Sequence, residues 1–463
     1  AMKYEAWGWK VITINGNDVT EIRRALTEAK AETSRPTLII GNTIMGKGAV
    51  GADKSSYENK VSTHGQPLSA AGVSITDTIR NLGGNPDDPF QIFPEVAELY
   101  AKRAKELEVI VAERYAAKAE WAKANPELAA KMELWFSGKA PVIDWKAIEQ
   151  KPNQATRTAS ATVLGLLATQ VENMIVSSAD LSNSDKTDGF LKKTHAFVKG
   201  DFSGAFLQAG VAELTMACVC IGMSLHGGVI VACGTFFVFS DYMKPAIRMA
   251  ALMEQPVKFV WSHDAFRVGE DGPTHEPVEQ LAAFRSLPNF CVYRPCDRTE
   301  TAAAWYRAVT SKDQPTALVL TRQNLSQMQG SSKEALKGGY ILEDSKKEVP
   351  DAIIIASGSE VELAVNAKAE LAKDGVDVRV VSMPSMEAFE EQTAEYKESV
   401  LPKACRKRVA VEALSDFGWY RYVGLDGKVV SMTGFGASGP AASLFEKFGF
   451  TTENVVAAVK SVL

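Results

Sequence analysis

Short apolar runs alternate with longer amphipathic segments along most of this 463-residue chain. The first two apolar runs, residues 10–14 and 37–42, predict β-strands, and the segment 18–32 between them predicts a helix. Asp18 is expected to cap this helix, and Glu21, three residues later, is expected to complete a capping box. The pattern therefore predicts a βαβ unit at the start of the chain.

A segment rich in Ala, Glu and Lys, residues 94 to 139, has helical periodicity. The pair Asn125-Pro126 interrupts it, because proline removes a helix hydrogen bond and clashes with the preceding turn. We interpret the segment as a surface helical connector between domains.

Two longer series of apolar strands and helices follow. The first, 153–330, has predicted strands at 174–178, 228–233, 257–261, 291–294 and 316–321, with helices at 160–173, 211–223, 240–253 and 300–308. The second, 335–463, has predicted strands at 352–356, 376–381, 409–412 and 429–432, with a helix at 359–373. Near-continuous apolar strands alternating with helices are typical of parallel sheets covered on both faces. The predicted fold class is α/β, with successive parallel-sheet domains followed by a C-terminal α/β domain.

Bulk composition narrows the function classes. Hydrophobic residues make up 46% and charged residues 23% of the chain, as in ordinary globular proteins. The net charge of −5 provides no basic field for nucleic acid. No apolar run approaches the ~20 residues of a membrane helix, and the N-terminus has no signal-peptide core. The six cysteines lie mostly in apolar runs without paired CxxC spacing, which favours buried free thiols in a cytoplasmic protein.

The loop 263–277 has the highest density of candidate chemistry. It follows a predicted buried strand and carries two of the five histidines, several carboxylates, and the Gly and Pro residues that favour irregular structure. Loops at the ends of core strands are where α/β sheets build their sites. A solvated polar turn is the alternative. A metal site at His263, Asp271 and His275 is disfavoured, because their spacing matches no standard zinc pattern.

Two segments match GxGxxG, at 46–51 and 434–439. A dinucleotide site needs this motif between a strand and a helix, with an acidic residue about 20 positions later at the end of a second strand. The first copy enters a polar coil, and the second lies too near the C-terminus for another strand. Turn and packing glycines are therefore the default interpretation.

Several single residues have two readings on sequence alone. Glu213, near the start of an apolar helix, is either an exposed first-turn residue or a buried carboxylate that needs a partner. The aromatic cluster Phe236, Phe237, Phe239 and Tyr242 is either core or a ring-binding pocket. Arg157 and Arg322 are either surface charges or phosphate ligands, and His64 is either a solvated loop residue or a functional one.

The loop contains the motif GEDGPTHEPVEQ, from Gly269 to Gln280, and this motif resembles the signature of transketolases. These thiamine-diphosphate enzymes move two-carbon ketol units between sugar phosphates. Further matching words, in the same order, are HGQP at His64, SADL at Ser178, Phe236 to Tyr242, RPCD at Arg294, TRQNL at Thr321, GSEVELA at Gly358 and VSMPSMEAF at Val381. Deoxyxylulose-phosphate synthases and keto-acid dehydrogenase subunits fit less well, because the two arginines and GEDGPTHEP favour transketolase.

The resemblance implies roles around the cofactor. Glu213 would meet N1′ of the aminopyrimidine ring, and Phe239, with Phe236 and Tyr242, would stack on that ring. Further implied roles belong to Asp180, an acidic residue near the thiamine, and His64, a proton-transfer group above the cofactor. Ala212 stands where relatives commonly have Arg, which puts the support of Glu213 in question.

The resemblance also implies a substrate site. Arg157, Ser184, His263 and Arg322 would bind the sugar phosphate. Asp271 and His275 would bind the hydroxyls of the donor ketose, and the implied catalytic set is Glu213, His64 and His275. The segment SNSDKTDGF, which contains Ser184, differs from the sequence that transketolases usually have at this position.

The layout implied by the resemblance has four parts: a remnant of the diphosphate-binding domain (1–75), a helical linker (76–152), a pyrimidine-binding domain (153–330) and a C-terminal domain (335–463). No Gly-Asp-Gly segment with a following Asn is present to hold Mg²⁺ and the diphosphate. We therefore expect a chain that lacks most of its first domain, is inactive alone and binds thiamine diphosphate weakly. The expected partners are sugar phosphates and a second copy or a complementary N-terminal chain. A non-catalytic partner, or one subunit of a split enzyme, is the alternative.

Overall fold

The computed structural model describes residues 1–463, which form two compact units, Ala1–Ala124 and Asn125–Leu463. The elements of the first unit are α1 (Met2–Ala6), β1 (Lys10–Asn15), α2 (Val19–Ala31), β2 (Thr37–Asn42), α3 (Ile75–Asn81) and α4 (Pro94–Ala124). Strands β1 and β2 pair in parallel and are joined through α2, so the predicted βαβ unit is confirmed. Helix α4 buries none of its residues, as predicted for a surface helix.

The start of α2 differs in one detail from the prediction. Asp18 caps the helix, because its carboxylate accepts hydrogen bonds from the backbone N–H groups of Thr20 and Glu21. The side chain of Glu21, however, accepts from the backbone N–H of Asn15 at 2.8 Å instead of closing a capping box on Asp18. The carboxylate therefore fastens the helix to the end of β1.

The second unit contains the remaining helices and strands. Up to its first sheet they are α5 (Pro126–Phe136), α6 (Thr156–Gln170), β3 (Met174–Ser178), α7 (Ser182–Asp185), α8 (Asp188–Leu191), β4 (Phe206–Gln208), α9 (Glu213–His226), β5 (Ile230–Phe236), α10 (Ser240–Leu252), β6 (Lys258–Ser262), α11 (Gln280–Arg285), β7 (Cys291–Tyr293), α12 (Arg298–Thr310) and β8 (Thr316–Leu320). After it come β9 (Tyr340–Glu343), β10 (Ala352–Ala356), α13 (Val361–Lys373), β11 (Val378–Ser382), α14 (Met386–Glu390), α15 (Ala394–Val400), β12 (Arg408–Ser415), α16 (Tyr420–Val423), β13 (Lys428–Met432), α17 (Ala441–Lys447) and α18 (Thr452–Lys460).

The first sheet of this unit has six strands in the order β4-β3-β5-β6-β8-β7, and every pairing is parallel. The predicted parallel α/β fold is therefore confirmed here. Strand β3 lies between β4 on one side and β5 on the other. The chain passes from β3 to β4 and then crosses back to β5, so the strand order reverses at β3. A crevice for ligands is expected beyond the carboxyl ends of strands at such a reversal of strand order.

The second sheet has five strands in the order β13-β12-β10-β11-β9. Four are parallel, and β9 runs antiparallel to β11 at one edge, so the C-terminal α/β domain has a mixed sheet. The strand order reverses between β10 and β12, which places a second possible crevice at their carboxyl ends.

One hydrophobic cluster joins the two sheets of the second unit. It includes Phe259 and Trp261 from β6, and it continues into Ile354 and Val380 of the second sheet. All six cysteines are free; five are buried as predicted, and Cys218 is exposed. No helix combines the length and the apolar character needed to cross a membrane.

Candidate functional site

The carboxyl edge of the six-stranded sheet collects most of the predicted site residues of the second unit. Asp180 and Ser184 follow β3, His263 follows β6, and Arg322 follows β8. Phe236 is the last residue of β5. Because parallel strands end at the same edge, residues far apart in sequence are brought to one crevice at the reversal of strand order.

Aromatic rings line this crevice. The ring centroids of Phe236 and His263 are 3.7 Å apart, and those of Phe236 and Phe239 are 5.7 Å apart in a stacked arrangement. His275 meets Phe239 edge-to-face at 5.3 Å, and Tyr242 lies 6.0 Å from Phe239. Since Phe239 is half-buried and Tyr242 is 63% exposed, two ring faces remain accessible to a flat ligand. Phe237, in contrast, is fully buried and stacks on Trp261, so it belongs to the core.

Two arginines approach the same crevice from different elements. Arg157, in the first turn of α6, donates from Nη1 to the carbonyl oxygen of Ser184 at 2.7 Å and to its hydroxyl at 3.3 Å. Its Nε is buried without a partner. Arg322 donates from Nη1 to the carbonyl oxygen of Val268 at 3.0 Å. Burial and then repulsion from Arg322 lower the pKa of Arg157, and neither arginine forms a salt bridge. The predicted grouping of Arg157, Ser184 and Arg322 is thus present.

His263 is held as a neutral ring between these groups. It is 2% exposed, its φ is 65°, and its Nδ1 lies 2.8 Å from the hydroxyl of Ser262. Burial, followed by the charges of Arg157 and Arg322, lowers the pKa of His263 to about 3. A left-handed backbone at a non-glycine residue is strained and is held only by its surroundings. The site therefore presents two fixed positive charges beside an uncharged imidazole.

Asp264, the neighbour of strained His263, anchors this part of the loop, and the sequence analysis did not identify it. Asp264 is buried and accepts from Nε of Arg294 at 3.0 Å and from Nη2 at 2.7 Å. The Nη1 of Arg294 in turn donates to Glu360 and to the backbone carbonyl of Ser357. This set, with Arg285 and Glu412, is called the buried ion network below. Arg294 belongs to the RPCD motif and Glu360 to the GSEVELA motif. These motifs were the sequence signal that could have identified the buried ion pair.

A second buried carboxylate holds the loop that carries Ser184. Asp185 accepts from the hydroxyl of Ser178 at 2.7 Å, and from the backbone N–H and hydroxyl of Thr187 at 2.8 and 2.7 Å. Burial raises the pKa of Asp185 to about 6. The contacts anchor the turn after β3, and Asp185 was not selected from the sequence.

The second GxGxxG segment packs against the site loop. A Cβ atom on Gly436 would lie 1.8 Å from Oε2 of Glu276, and one on Gly269 would lie 3.1 Å from the carbonyl oxygen of Gly439. The Ser438 hydroxyl donates to the carbonyl oxygen of Glu270 at 2.8 Å. These glycines permit close packing, in agreement with the interpretation from sequence.

The remaining predicted site residues make few hydrogen bonds or none. Glu213 is the first residue of α9 and is 7% exposed, without a hydrogen bond or ion pair. Asp180 and Asp271 are exposed and also make neither. His275 is half-buried, with Nδ1 2.9 Å from the hydroxyl of Thr274. His64 lies in the first unit, exposed at the end of a short turn Val61–Thr63.

No group of three or more His, Cys, Asp or Glu side chains is placed to hold a metal ion. The crevice is therefore described by its own residues: partly exposed aromatic rings, two arginine side chains and a neutral imidazole.

Comparisons with protein-family models cover nearly all of the chain. The model described as transketolase, thiamine diphosphate binding domain matches residues 1–141. The transketolase pyrimidine binding domain matches 153–328, and the transketolase-like C-terminal domain matches 338–451. The expectation that most of the first domain is lacking, with inactivity as its consequence, is not supported by the match over 1–141.

Individual relatives agree with these matches. A transketolase from Bacillus subtilis is 44% identical over 471 residues, covering 100% of this chain and 69% of its own length. Transketolase 1 of Escherichia coli is 43% identical and is covered over 70% of its length. The solved transketolase of Leishmania mexicana superposes with a TM-score of 0.90 at 35% identity, covering 100% of this chain and 67% of that one. The chain thus spans about two thirds of the length of these relatives.

Proposed function

Because this chain belongs to the transketolase family, we propose that it transfers a two-carbon ketol unit from a ketose phosphate to an aldose phosphate, with thiamine diphosphate as cofactor. The observation that carries the substrate class is the pairing of Arg157 and Arg322 beside neutral His263.

The two arginines suit a phosphate dianion. Guanidinium groups stay charged and donate several hydrogen bonds in one plane, which matches phosphate oxygens. The unpaired Nε of Arg157 is a donor already desolvated by the protein. A phosphate would also relieve the repulsion between the two cations. This part of the site would bind and orient the sugar without taking part in bond breaking.

The accessible ring faces and Glu213 fit the aminopyrimidine part of the cofactor. Phe239 and Tyr242 offer flat apolar surfaces, and Glu213 is a largely buried residue whose carboxylate makes no hydrogen bond or ion pair. The free carboxylate oxygens of Glu213 would accept a hydrogen bond from a protonated ring nitrogen. When bound, thiamine diphosphate supplies the carbon nucleophile that accepts the two-carbon unit. Glu213 would hold the proton at the ring nitrogen.

The other assigned roles rest on the resemblance. His275 and Asp271 would bind donor hydroxyls, Asp180 would lie near the thiamine, and His64 would transfer a proton. Use of Mg²⁺, assembly as a homodimer, a place in pentose phosphate metabolism and a cytoplasmic location remain predictions of the same kind.

A transfer assay tests the proposal. The purified chain is incubated with thiamine diphosphate, Mg²⁺, a ketose phosphate labelled in its first two carbons, and an unlabelled aldose phosphate. We expect the label to appear in a ketose two carbons longer than the acceptor aldose, and only when cofactor is present. Absence of labelled product at saturating cofactor would contradict the proposal.

A further inference from the structure

A cavity of about 220 Å³ lies at the amino ends of β5 and β6, the sheet edge opposite the candidate site. Its walls are the end of α5 with the following turn, the turns before β5 and β6, and the end of α12. Phe136 forms an aromatic wall. A Cβ on Gly228 would lie 2.8 Å from the Phe136 ring, so the glycine allows the ring to lie flat on the turn.

Lys258, the first residue of β6, forms the buried side of this cavity. It is 3% exposed, and its only hydrogen-bond acceptor is the carbonyl oxygen of Pro256. No carboxylate lies within ion-pair distance of its ammonium group, although the chain has many other lysine ion pairs. An ammonium group has three donors, so two of them are unmet. A buried, unpaired cation is costly, and burial lowers the pKa of Lys258 to about 7.

The rest of the lining is also positive on balance. Lys139 and Lys312 line the cavity and are exposed at its rim. Glu254, also exposed, is the only acidic residue of the lining. Three lysines and one carboxylate thus line the cavity, and the most buried of the three lysines has no counter-ion within the protein.

We propose that this cavity is a binding site for a tetrahedral oxyanion, either a phosphate ester or a sulfate, with Lys258 as its inner ligand and Lys139 and Lys312 at the rim. The anion supplies the missing counter-ion and accepts the unmet N–H groups of Lys258. The cavity has ample volume for one such group. The site is separate from the crevice of Arg157 and Arg322, and it does not depend on the proposed transketolase activity.

Binding at this site has a defined pH dependence. The other charged residues that line the cavity are Lys139, Lys312 and Glu254, and the pKa of Lys258 is lowered by burial alone. The anion favours the protonated amine, so binding should strengthen as pH falls through the pKa of Lys258, about 7 in the free protein. Reciprocally, a bound anion should raise that pKa.

Sulfate is the suitable probe, because it stays a dianion across the neutral pH range. Sulfate is titrated into the full chain at about pH 6 and about pH 9, followed by nuclear magnetic resonance of the lysine side chains. The Lys258 signal is identified by its loss in Lys258→Met, which keeps the apolar stem and removes the ammonium. Following that signal separates this cavity from sulfate binding at Arg157 and Arg322.

We expect the Lys258 signal to shift saturably with sulfate and its pKa to rise. The affinity should be at least about tenfold higher at the lower pH, and Lys139→Met and Lys312→Met should weaken it further. Lys346→Met removes an exposed lysine that makes no ion pair and is the matched control, expected to change nothing. A Lys258 signal that does not respond to sulfate, or that responds equally at both pH values, would overturn the proposal.

Discussion

Arg294, which follows β7, donates a hydrogen bond to Glu360, which precedes α13, and neither side chain is exposed to solvent. The same guanidinium binds Asp264, the neighbour of strained His263. The buried ion network therefore connects the second sheet of the unit to the candidate site at the edge of the first.

Replacing Arg294 by Met should strongly destabilise the protein. The substitution leaves Asp264 and Glu360 buried without their shared counter-ion, and removing one partner of a buried ion pair typically costs about 3–5 kcal/mol. Urea denaturation gives the free energy of unfolding. The control is Arg248→Met, which removes an exposed arginine without an ion pair. Equal, small losses in both variants would show that the buried ion network contributes little.

Glu276→Gln should change the pH dependence of stability. Burial raises the pKa of Glu276 from 4.5 to about 7, although the nearby backbone N–H groups of Ala437 and Gly269 oppose this shift. The folded state therefore holds this proton more tightly than the unfolded state, so the parent loses stability as pH rises from 4.5 to about 7. Glutamine stays neutral. The free energy of unfolding of the variant should therefore rise relative to that of the parent between pH 4.5 and about pH 7, and it should stay higher above this window.

The measurement is a series of denaturation curves at several pH values for parent, Glu276→Gln and Glu270→Gln. Glu270 is an exposed glutamate in the same loop. A constant difference between parent and Glu276→Gln at every pH would mean that Glu276 does not titrate in this window.

Arg322→Ala should affect phosphorylated substrates selectively. The arginine is proposed to bind a phosphate that keeps its contacts in ground and transition states, so KM should rise more than kcat falls. A charge-assisted hydrogen bond is worth roughly 1.5–3 kcal/mol, or about 10- to 150-fold in kcat/KM. The comparison is kcat/KM with a ketose phosphate and with hydroxypyruvate, a donor without phosphate. Equal losses on both donors would assign Arg322 to the fold or the cofactor site.

Glu213→Gln should reduce the transfer rate by about 10²–10⁴-fold at saturating cofactor, because glutamine keeps the shape but cannot exchange the proton. The rate is measured by the transfer assay described above. Far-ultraviolet circular dichroism and the denaturation midpoint provide the control for folding. A rate within a few-fold of the parent would contradict the role of Glu213.

The strands of the two sheets were largely predictable, because fully buried parallel strands appear as continuous apolar runs. Three-residue β4 was not, since it carries too few residues for a periodic signal. The end of β5 was also misjudged: the predicted strand stops at Cys233, whereas the structure extends it to Phe236. The orientation of β9 depends on its partner in space, which no local pattern records.

For the candidate site, recognisable motifs supplied individual residues, whose roles stay predictions. His263, Arg157 and Ser184 are brought together as expected. The supports were missed because they are pairs of distant residues: Arg294 and Glu360 are 66 positions apart, and only docking of the two sheets defines that contact. The fit of Gly436 against Glu276 is likewise invisible before folding.

The crevice at the carboxyl ends of β10 and β12 is filled by a side chain of the preceding domain. The guanidinium carbon of Arg294 lies 2.7 Å from where a Cβ on Gly358 would stand, and Glu360 accepts a hydrogen bond from Arg294. Beside this pair, Glu412 binds Arg285, a second arginine of the preceding domain. In other open α/β sheets this position is vacant for a ligand. The C-terminal domain is therefore a poor unit for exchange between homologous proteins. A chimaera joined near residue 335 would inherit two buried carboxylates, each paired with a different arginine of the preceding domain. It should fold well only when donor and recipient carry both sides of these contacts.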